Sequence, residues 1–324
     1  MGLLISEGNT QTDDVSQADV VVVNTCAFIE EARRESIDTI LNLSDQRKEG
    51  SRLVVTGCMA ERYGDELAAE LPEVDQVAGF GVSVTLGRKP VALGATAVPT
   101  FDLLNLPRPK SQSPWAYLKI AEGCDRSCGF CAIPSFRGPQ RSRDISSLLT
   151  EVEQLQAREI VLVAQDLASY GKDRPEELGA GSIVPLVNSV AALVDRVRLL
   201  YLYPSDLSDD LIHAILNTGV PYFDLSLQHV SKPLLRKMRR WGDGDRFLQR
   251  IADIRKLNPK AVFRSNFIVG YPGETEADHD EMLRFIEEAQ LDWCGFFTYS
   301  AEDGTYAVNL PDQVPKELML LRHG

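Results

Sequence analysis

The sequence predicts an α/β protein in two parts, an N-terminal parallel α/β domain followed by a partial (β/α)6 barrel. Three observations predict it. Unbroken apolar runs, Val20 to Val23 in "ADVVVVNTC" and Leu53 to Val55 in "SRLVVTGC", suit strands buried on both faces of a parallel sheet. A stretch rich in proline and serine, "NLPRPKSQSPW" (105–115), then interrupts the pattern. Beyond it, strand and helix signals alternate six times over about 190 residues, where a closed barrel would use eight strands. The expected division is a first domain over 1–104, a linker over 105–114 and the barrel domain over 115–324.

Between the two N-terminal runs, "FIEEARRESIDTILNL" places Phe28, Ala32, Ile37, Ile40 and Leu41 near helical spacing, which makes a βαβ unit. Each of its strands ends in a cysteine. Neighbouring parallel strands share a crevice at their carboxyl ends, so Cys26 and Cys58 are expected to converge there; two isolated buried cysteines are the alternative. The barrel strands are read at 115–121, 159–166, 197–204, 222–229, 261–270 and 295–300. Helical patterns such as "SSLLTEVEQLQA" (146–157) and "EADHDEMLRFIEEAQ" (276–290) fall between them.

Composition bounds the function. The chain has 324 residues, 44% hydrophobic, with a formal net charge of −13. That charge argues against broad nucleic-acid binding driven by electrostatics. Two basic islands interrupt it: residues 108–143 carry seven Lys/Arg against two acids, and residues 232–246 carry six against two. They read as local anion sites or as solvated helix faces. No run reaches the roughly 18 apolar residues of a membrane helix and no basic-then-apolar leader opens the chain, so a cytoplasmic location is expected.

Six cysteines, Cys26, Cys58, Cys124, Cys128, Cys131 and Cys294, point to metal or redox chemistry in such a compartment. Three of them sit within eight positions in "GCDRSCGFCAIPSFRG" (123–138), directly after the first barrel strand. Zinc would want four ligands, usually as two separated pairs. A 4Fe–4S cubane can be tied to the protein at three irons and leave the fourth open. The cluster is the preferred reading, with zinc the alternative.

A C-x3-C-x2-C loop after the first strand of a partial barrel resembles the radical S-adenosylmethionine superfamily. In that superfamily the open iron chelates the cofactor, and an electron from the cluster cleaves it to methionine and a 5′-deoxyadenosyl radical. The motifs "KIAEGCDRSCGFCAIPSFRGPQRSR" (119–143), "NTCAFIEEARRES" (24–36), "VAQDLASYG" (163–171), "RLLYLYPSDLSDDLI" (198–212), "LQHVSKPLLRKMRR" (227–240) and "FIVGYPGETEADH" (267–279) together resemble the methylthiotransferases. More closely they are similar to the RimO type, which adds a methylthio group to the β-carbon of an aspartate in the twelfth small-subunit ribosomal protein. The sister group acting on tRNA adenosine would show "NTCSVRE", "GQNVNSY" and "LQSGS". Here stand Cys26-Ala27-Phe28-Ile29, Ala164-Gln165-Asp166 and Leu227-Gln228-His229. An acidic chain also suits a basic protein substrate better than tRNA. An iron–sulfur or zinc protein serving only structure or electron transfer is the alternative from another class.

The resemblance implies that Cys124, Cys128 and Cys131 hold the radical-generating 4Fe–4S cluster. It implies that Cys26 and Cys58 hold part of a second, auxiliary 4Fe–4S cluster, where the methylthio group is delivered. Candidates for contact with S-adenosylmethionine are Phe130, Gln165, Asp166, Tyr203, Gln228 and Arg264, each of which could equally be a packed or solvated strand-end residue. The implied partners are a small-subunit ribosomal protein and an electron donor such as flavodoxin or ferredoxin. Neither a membrane nor a nucleic acid is expected.

"GYPGE" (270–274) reads either as a plain turn or as a loop near the cofactor's adenine. His229 is either near the site or structural, and His213 and Cys294 are left to packing. The family pattern also has a strand ending in a further auxiliary-cluster cysteine ahead of the strand that ends at Cys26, and a small β-barrel, the TRAM domain, at its end. "MGLLISEGNT" reads as the remnant of the helix after that first strand. The chain as written is thus expected to lack both features and to hold the second cluster incompletely.

Overall fold

The computed structural model describes residues 5, 8–82, 84, 111, 113–178 and 183–324. Most of the segment 105–114 read as a linker, and most of the "MGLLISEGNT" helix, lie outside those residues. The chain divides into two units: Met1–Pro109 with Ser135–Gly138, and Lys110–Pro134 with Pro139–Gly324.

The first unit is built on a parallel sheet of β1 (Val20–Thr25), β2 (Arg52–Gly57) and β3 (Gln76–Ala78), in that order. β2 is central, and Leu53, Val54 and Val55 are fully buried, as its apolar run demands. β1 departs from the expectation. Only Val21, Val23 and Thr25 are buried while Val20 and Val22 are half-buried, because β1 lies at the sheet edge and its second face is thinly covered. The helix Glu30–Gln46 turns Ile40 into a core with Val21, Val23, Leu53 and Val77. Phe28 and Leu41, read as part of its apolar stripe, are exposed.

In the second unit, β4 (Trp115–Lys119) runs into a two-residue ladder in which β5 (Ala121–Glu122) pairs antiparallel with β6 (Arg141–Ser142). That ladder closes the ends of the cysteine loop. β7 (Glu159–Val163) and β8 (Arg196–Leu199) add to β4 in parallel, and β9 (Tyr222–Gln228), β10 (Val262–Val269) and β11 (Trp293–Thr298) form a second parallel run. A parallel bridge between Leu202 and Leu225 joins the two runs. The result is six parallel strands in sequence order, each followed by a helix, with β4 and β11 at the open edges: a partial barrel. Its core runs through Leu118, Leu162, Leu199, Phe223, Phe263 and Phe267, and the Phe223 and Phe263 rings stack with centroids 5.3 Å apart.

The third barrel strand is shorter than 197–204. It stops at Leu199 because Tyr201 takes a left-handed φ of +59° and Pro204 opens a 3-10 turn. The helix Glu276–Ala289 begins where Thr275 and Asp278 cap one another's backbone N–H groups. His213 is exposed on the helix Asp209–Leu216 rather than packed. Cys294 is half-buried on β11, and burial pushes its thiol up. No helix among the described residues is long and apolar enough to cross a membrane.

Candidate functional site

The cysteine loop leaves the carboxyl end of β4 through Gly123, whose φ of +82° favours glycine. Gly123 N–H donates to Gln165 Oε1 at 2.9 Å, which ties the loop's base to the end of β7. Three residues on, Arg126 donates through Nε to Asp166 Oδ2 at 2.5 Å and through Nη2 to Ser169 Oγ at 2.9 Å and to Asp206 Oδ2. Asp166 is nearly fully buried, so this ion pair is shielded from water and fixes the loop firmly. Gln165, Asp166 and Arg126 therefore act as one brace across the ends of β4, β7 and β8.

Cys124 is buried, and Cys128 and Cys131 are half-buried. Burial pushes the Cys124 thiol up to about 11 and the Cys131 thiol up to about 12; Arg240 pulls the Cys131 value the other way. Such thiols stay protonated at neutral pH until a metal displaces the proton. Two sulfurs already accept N–H donors: Cys124 Sγ from the Arg126 backbone at 3.4 Å, and Cys128 Sγ from Arg240 Nη1 at 3.2 Å. Among the described residues no trio of His, Cys, Asp or Glu is drawn together tightly enough to hold a single metal ion. A zinc ion gathers all its sulfurs at about 2.3 Å from one centre. A cubane instead takes each thiolate to a separate iron, and three thiols from one loop fit that group with one iron left open.

Gly129 sits at the tightest point of the loop. Its N–H donates to Met238 O and its carbonyl accepts from Ala307 N–H, both at 2.8 Å. A Cβ there would lie 2.7 Å from Tyr271 Oη and 3.2 Å from Lys237 O. Gly129→Ala should therefore displace the buried Tyr271 hydroxyl from Lys237 O, destabilise the protein by about 1–3 kcal/mol and shift Cys128 and Cys131. Denaturant unfolding and iron retention would check both effects, and a variant as stable and iron-rich as the parent would contradict them.

The six residues read as cofactor contacts fall in different environments. Gln165 and Asp166 spend their acceptors on the loop, although Asp166 Oδ1 has no hydrogen-bond partner among the described residues. Tyr203 is nearly buried, with the guanidinium carbons of Arg126 and Arg240 lying 3.9 and 4.3 Å from its ring centroid. Arg264 pairs through Nη1 with Asp224 Oδ2 at 3.0 Å. Burial raises the Asp224 carboxyl, and Arg264 offsets part of that. Phe130 is half-buried against the core, and Gln228 ends β9 with a left-handed φ of +71°. Non-glycine residues in that region are strained, and strain of this kind gathers at functional sites.

In the first unit the parallel register sets Thr25 opposite Gly57, so Cys26 and Cys58 follow at the same end of adjacent strands. Cys26 is exposed and Cys58 half-buried. Gly57, at φ +96°, could not carry a Cβ without meeting Thr25 O at 2.5 Å, so the turn that presents Cys58 requires glycine.

One group was not anticipated. Glu274, the last residue of "GYPGE", has a fully buried side chain: Oε2 accepts from Arg322 Nη1 at 3.1 Å and from Gly270 N–H. His229 Nε2 stands 3.4 Å from Oε1, and His279 Nδ1 3.7 Å from it. His229 is thus part of a buried polar cluster behind the loop that follows β10.

Comparison with known proteins gives the class first. Residues 118–286 match the Radical SAM superfamily, and residues 1–79 match Uncharacterized protein family UPF0004. Over 86% of this chain and 63% of the other, the fold is similar to the radical S-adenosylmethionine methyltransferase TsrM of Kitasatospora setae, with a TM-score of 0.63 at 14% identity. Ribosomal protein uS12 methylthiotransferase RimO of Geobacter sulfurreducens is 42% identical over all of this chain and 76% of its own length. The same-named protein of an Anaeromyxobacter species is 44% identical over 97% of this chain and 70% of its own length. The chain belongs to the ribosomal protein uS12 methylthiotransferase (RimO) family of radical SAM enzymes.

Proposed function

We propose that this chain transfers a methylthio group to the β-carbon of an aspartate in ribosomal protein uS12, in the cytoplasm. Residues 115–324 generate the radical, and residues 1–104 carry the sulfur-delivering centre. The observation that carries the reading is the braced three-thiol loop at the strand ends of a six-strand barrel, in a chain 42% identical to a uS12 methylthiotransferase. When bound, a 4Fe–4S cluster and S-adenosylmethionine supply the one-electron chemistry that activates an unreactive C–H bond.

The chain's own residues then have distinct tasks. Cys124, Cys128 and Cys131 would hold the cluster as thiolates, their protons passing to water, and Arg126, Gln165 and Asp166 keep the loop from shifting. Phe130, Gln228 and Tyr203 are the side chains proposed to contact the cofactor, Gln228 supported by its strained backbone. Arg264, paired with Asp224, is a further proposed cofactor contact, and Cys26 and Cys58 serve the second cluster. The partners are basic uS12 and a one-electron donor of the flavodoxin or ferredoxin kind.

The test is anaerobic incubation of the reconstituted protein with S-adenosylmethionine, sulfide, a reductant and either uS12 or tRNA. The expected product is uS12 heavier by one methylthio group in place of hydrogen, located at an aspartate by tandem mass spectrometry. Modified adenosine in tRNA with untouched uS12 would replace this reading by the sister activity.

A further inference from the structure

Arg240 donates from its side chain to a sulfur of the cysteine loop. Its Nη1 lies 3.2 Å from Cys128 Sγ, its Nη2 donates to Ser226 O near the end of β9, and its guanidinium lies against the Tyr203 ring. The contact spans 112 positions in sequence, so nothing local requires it. Arg126, by contrast, is held by two carboxylates. Among the described residues the charge of Arg240 meets a thiol, a carbonyl and a ring, and pairs with no carboxylate.

The backbone that delivers Arg240 is strained. The helix Lys232–Lys237 ends with Arg240 N–H donating back to Leu235 O at 2.8 Å, a closure in which the preceding residue turns left-handed. Glycine usually fills that place; here it is Arg239, at φ +55°. The fold thus keeps an unfavourable conformation directly beside the residue that reaches Cys128.

We propose that Arg240 sets the reduction potential of the cluster held by the Cys124 loop, by donating to the Cys128 sulfur and placing an uncancelled positive charge beside it. The inference rests on the reading of that loop as a cluster site. Accepting one electron makes a cluster more negative, and a donor and cation at a ligand sulfur stabilise that form. Arg240 therefore raises the potential. It is a positioning and tuning residue, and it makes the cluster easier for a weak one-electron donor to reduce.

The experiment is a redox titration of the reconstituted protein without S-adenosylmethionine, followed by EPR, comparing the parent with Arg240→Gln and Arg240→Lys. A Cys26→Ala/Cys58→Ala background leaves the Cys124 loop as the source of the signal. Glutamine keeps an N–H donor but removes the charge. Its reduced-to-oxidised ratio at fixed poise should fall about tenfold, a midpoint about 59 mV lower for a one-electron couple. Lysine keeps the charge and loses the fork, so its midpoint should fall by less, but measurably. If the glutamine variant fails to load iron, the lysine variant decides alone. An unchanged midpoint in the variants that load iron overturns the proposal. So does an unchanged midpoint with weakened binding of S-adenosylmethionine, which would make Arg240 a cofactor contact instead. A parent protein that assembles no cluster defeats the underlying reading, and is distinguished by its iron content.

Discussion

Glu274→Ala is expected to destabilise the protein by about 3–5 kcal/mol, the usual effect of removing one partner from a buried ion pair. The Glu274 side chain is fully buried and that of Arg322 only 4% exposed. Without Glu274, Arg322 keeps Glu276, whose own side chain is 72% exposed, and the Gly270 N–H loses its acceptor. His229 and His279 lose the carboxylate they face. The fall should appear as a lower denaturant midpoint with an unchanged slope. A Glu274→Leu/Arg322→Met pair should recover much of it, since the penalty belongs to the unpaired charge rather than to the missing contact. A change below about 1 kcal/mol in the single variant would mean that water reaches this cluster, contrary to the burial of its members.

Replacing any one of Cys124, Cys128 and Cys131 by alanine should bring formation of 5′-deoxyadenosine from S-adenosylmethionine down to background while the fold survives. In the proposed site each thiol would serve a separate iron, so no remaining sulfur of the loop could stand in for the one lost. Cys124 is buried and Cys128 and Cys131 half-buried, and replacing any one by alanine removes a single sulfur atom from the packing. Chromatography of the products and a circular dichroism spectrum would check both halves. Cys294→Ala is the control: Cys294 lies on β11, away from the loop in sequence, and its loss should leave the reaction intact. Full activity in any of the three loop variants would remove that cysteine from the site.

Much of this architecture is legible in the sequence because it depends on local pattern. The six barrel strands announce themselves by apolar runs, and the C-x3-C-x2-C spacing identifies the loop by chemistry that few other arrangements want. What was not legible depends on contacts across the fold. The ladder of β5 and β6 is two residues long on each side, too short for any periodicity, yet it closes the cysteine loop. Gln165 and Asp166 could be marked as strand-end polar residues. That they brace the loop through Gly123 and Arg126 follows only when β4 and β7 are neighbours. Arg240 lay inside a basic island read as a local anion site or a solvated helix face, and the sulfur it reaches, Cys128 Sγ, is 112 positions away in sequence. Glu274 and Arg322 lie 48 positions apart, and no local pattern marks them as partners.

The proposed activity depends on the Cys124 loop holding a cluster with one iron open to S-adenosylmethionine. The most direct measurement is anaerobic reconstitution of a Cys26→Ala/Cys58→Ala variant with iron and sulfide. Iron is then counted per chain, and EPR spectra of the reduced sample are recorded with and without S-adenosylmethionine. About four irons and a signal that changes on adding the cofactor are the predicted result. No cluster, or a signal indifferent to the cofactor, would contradict it.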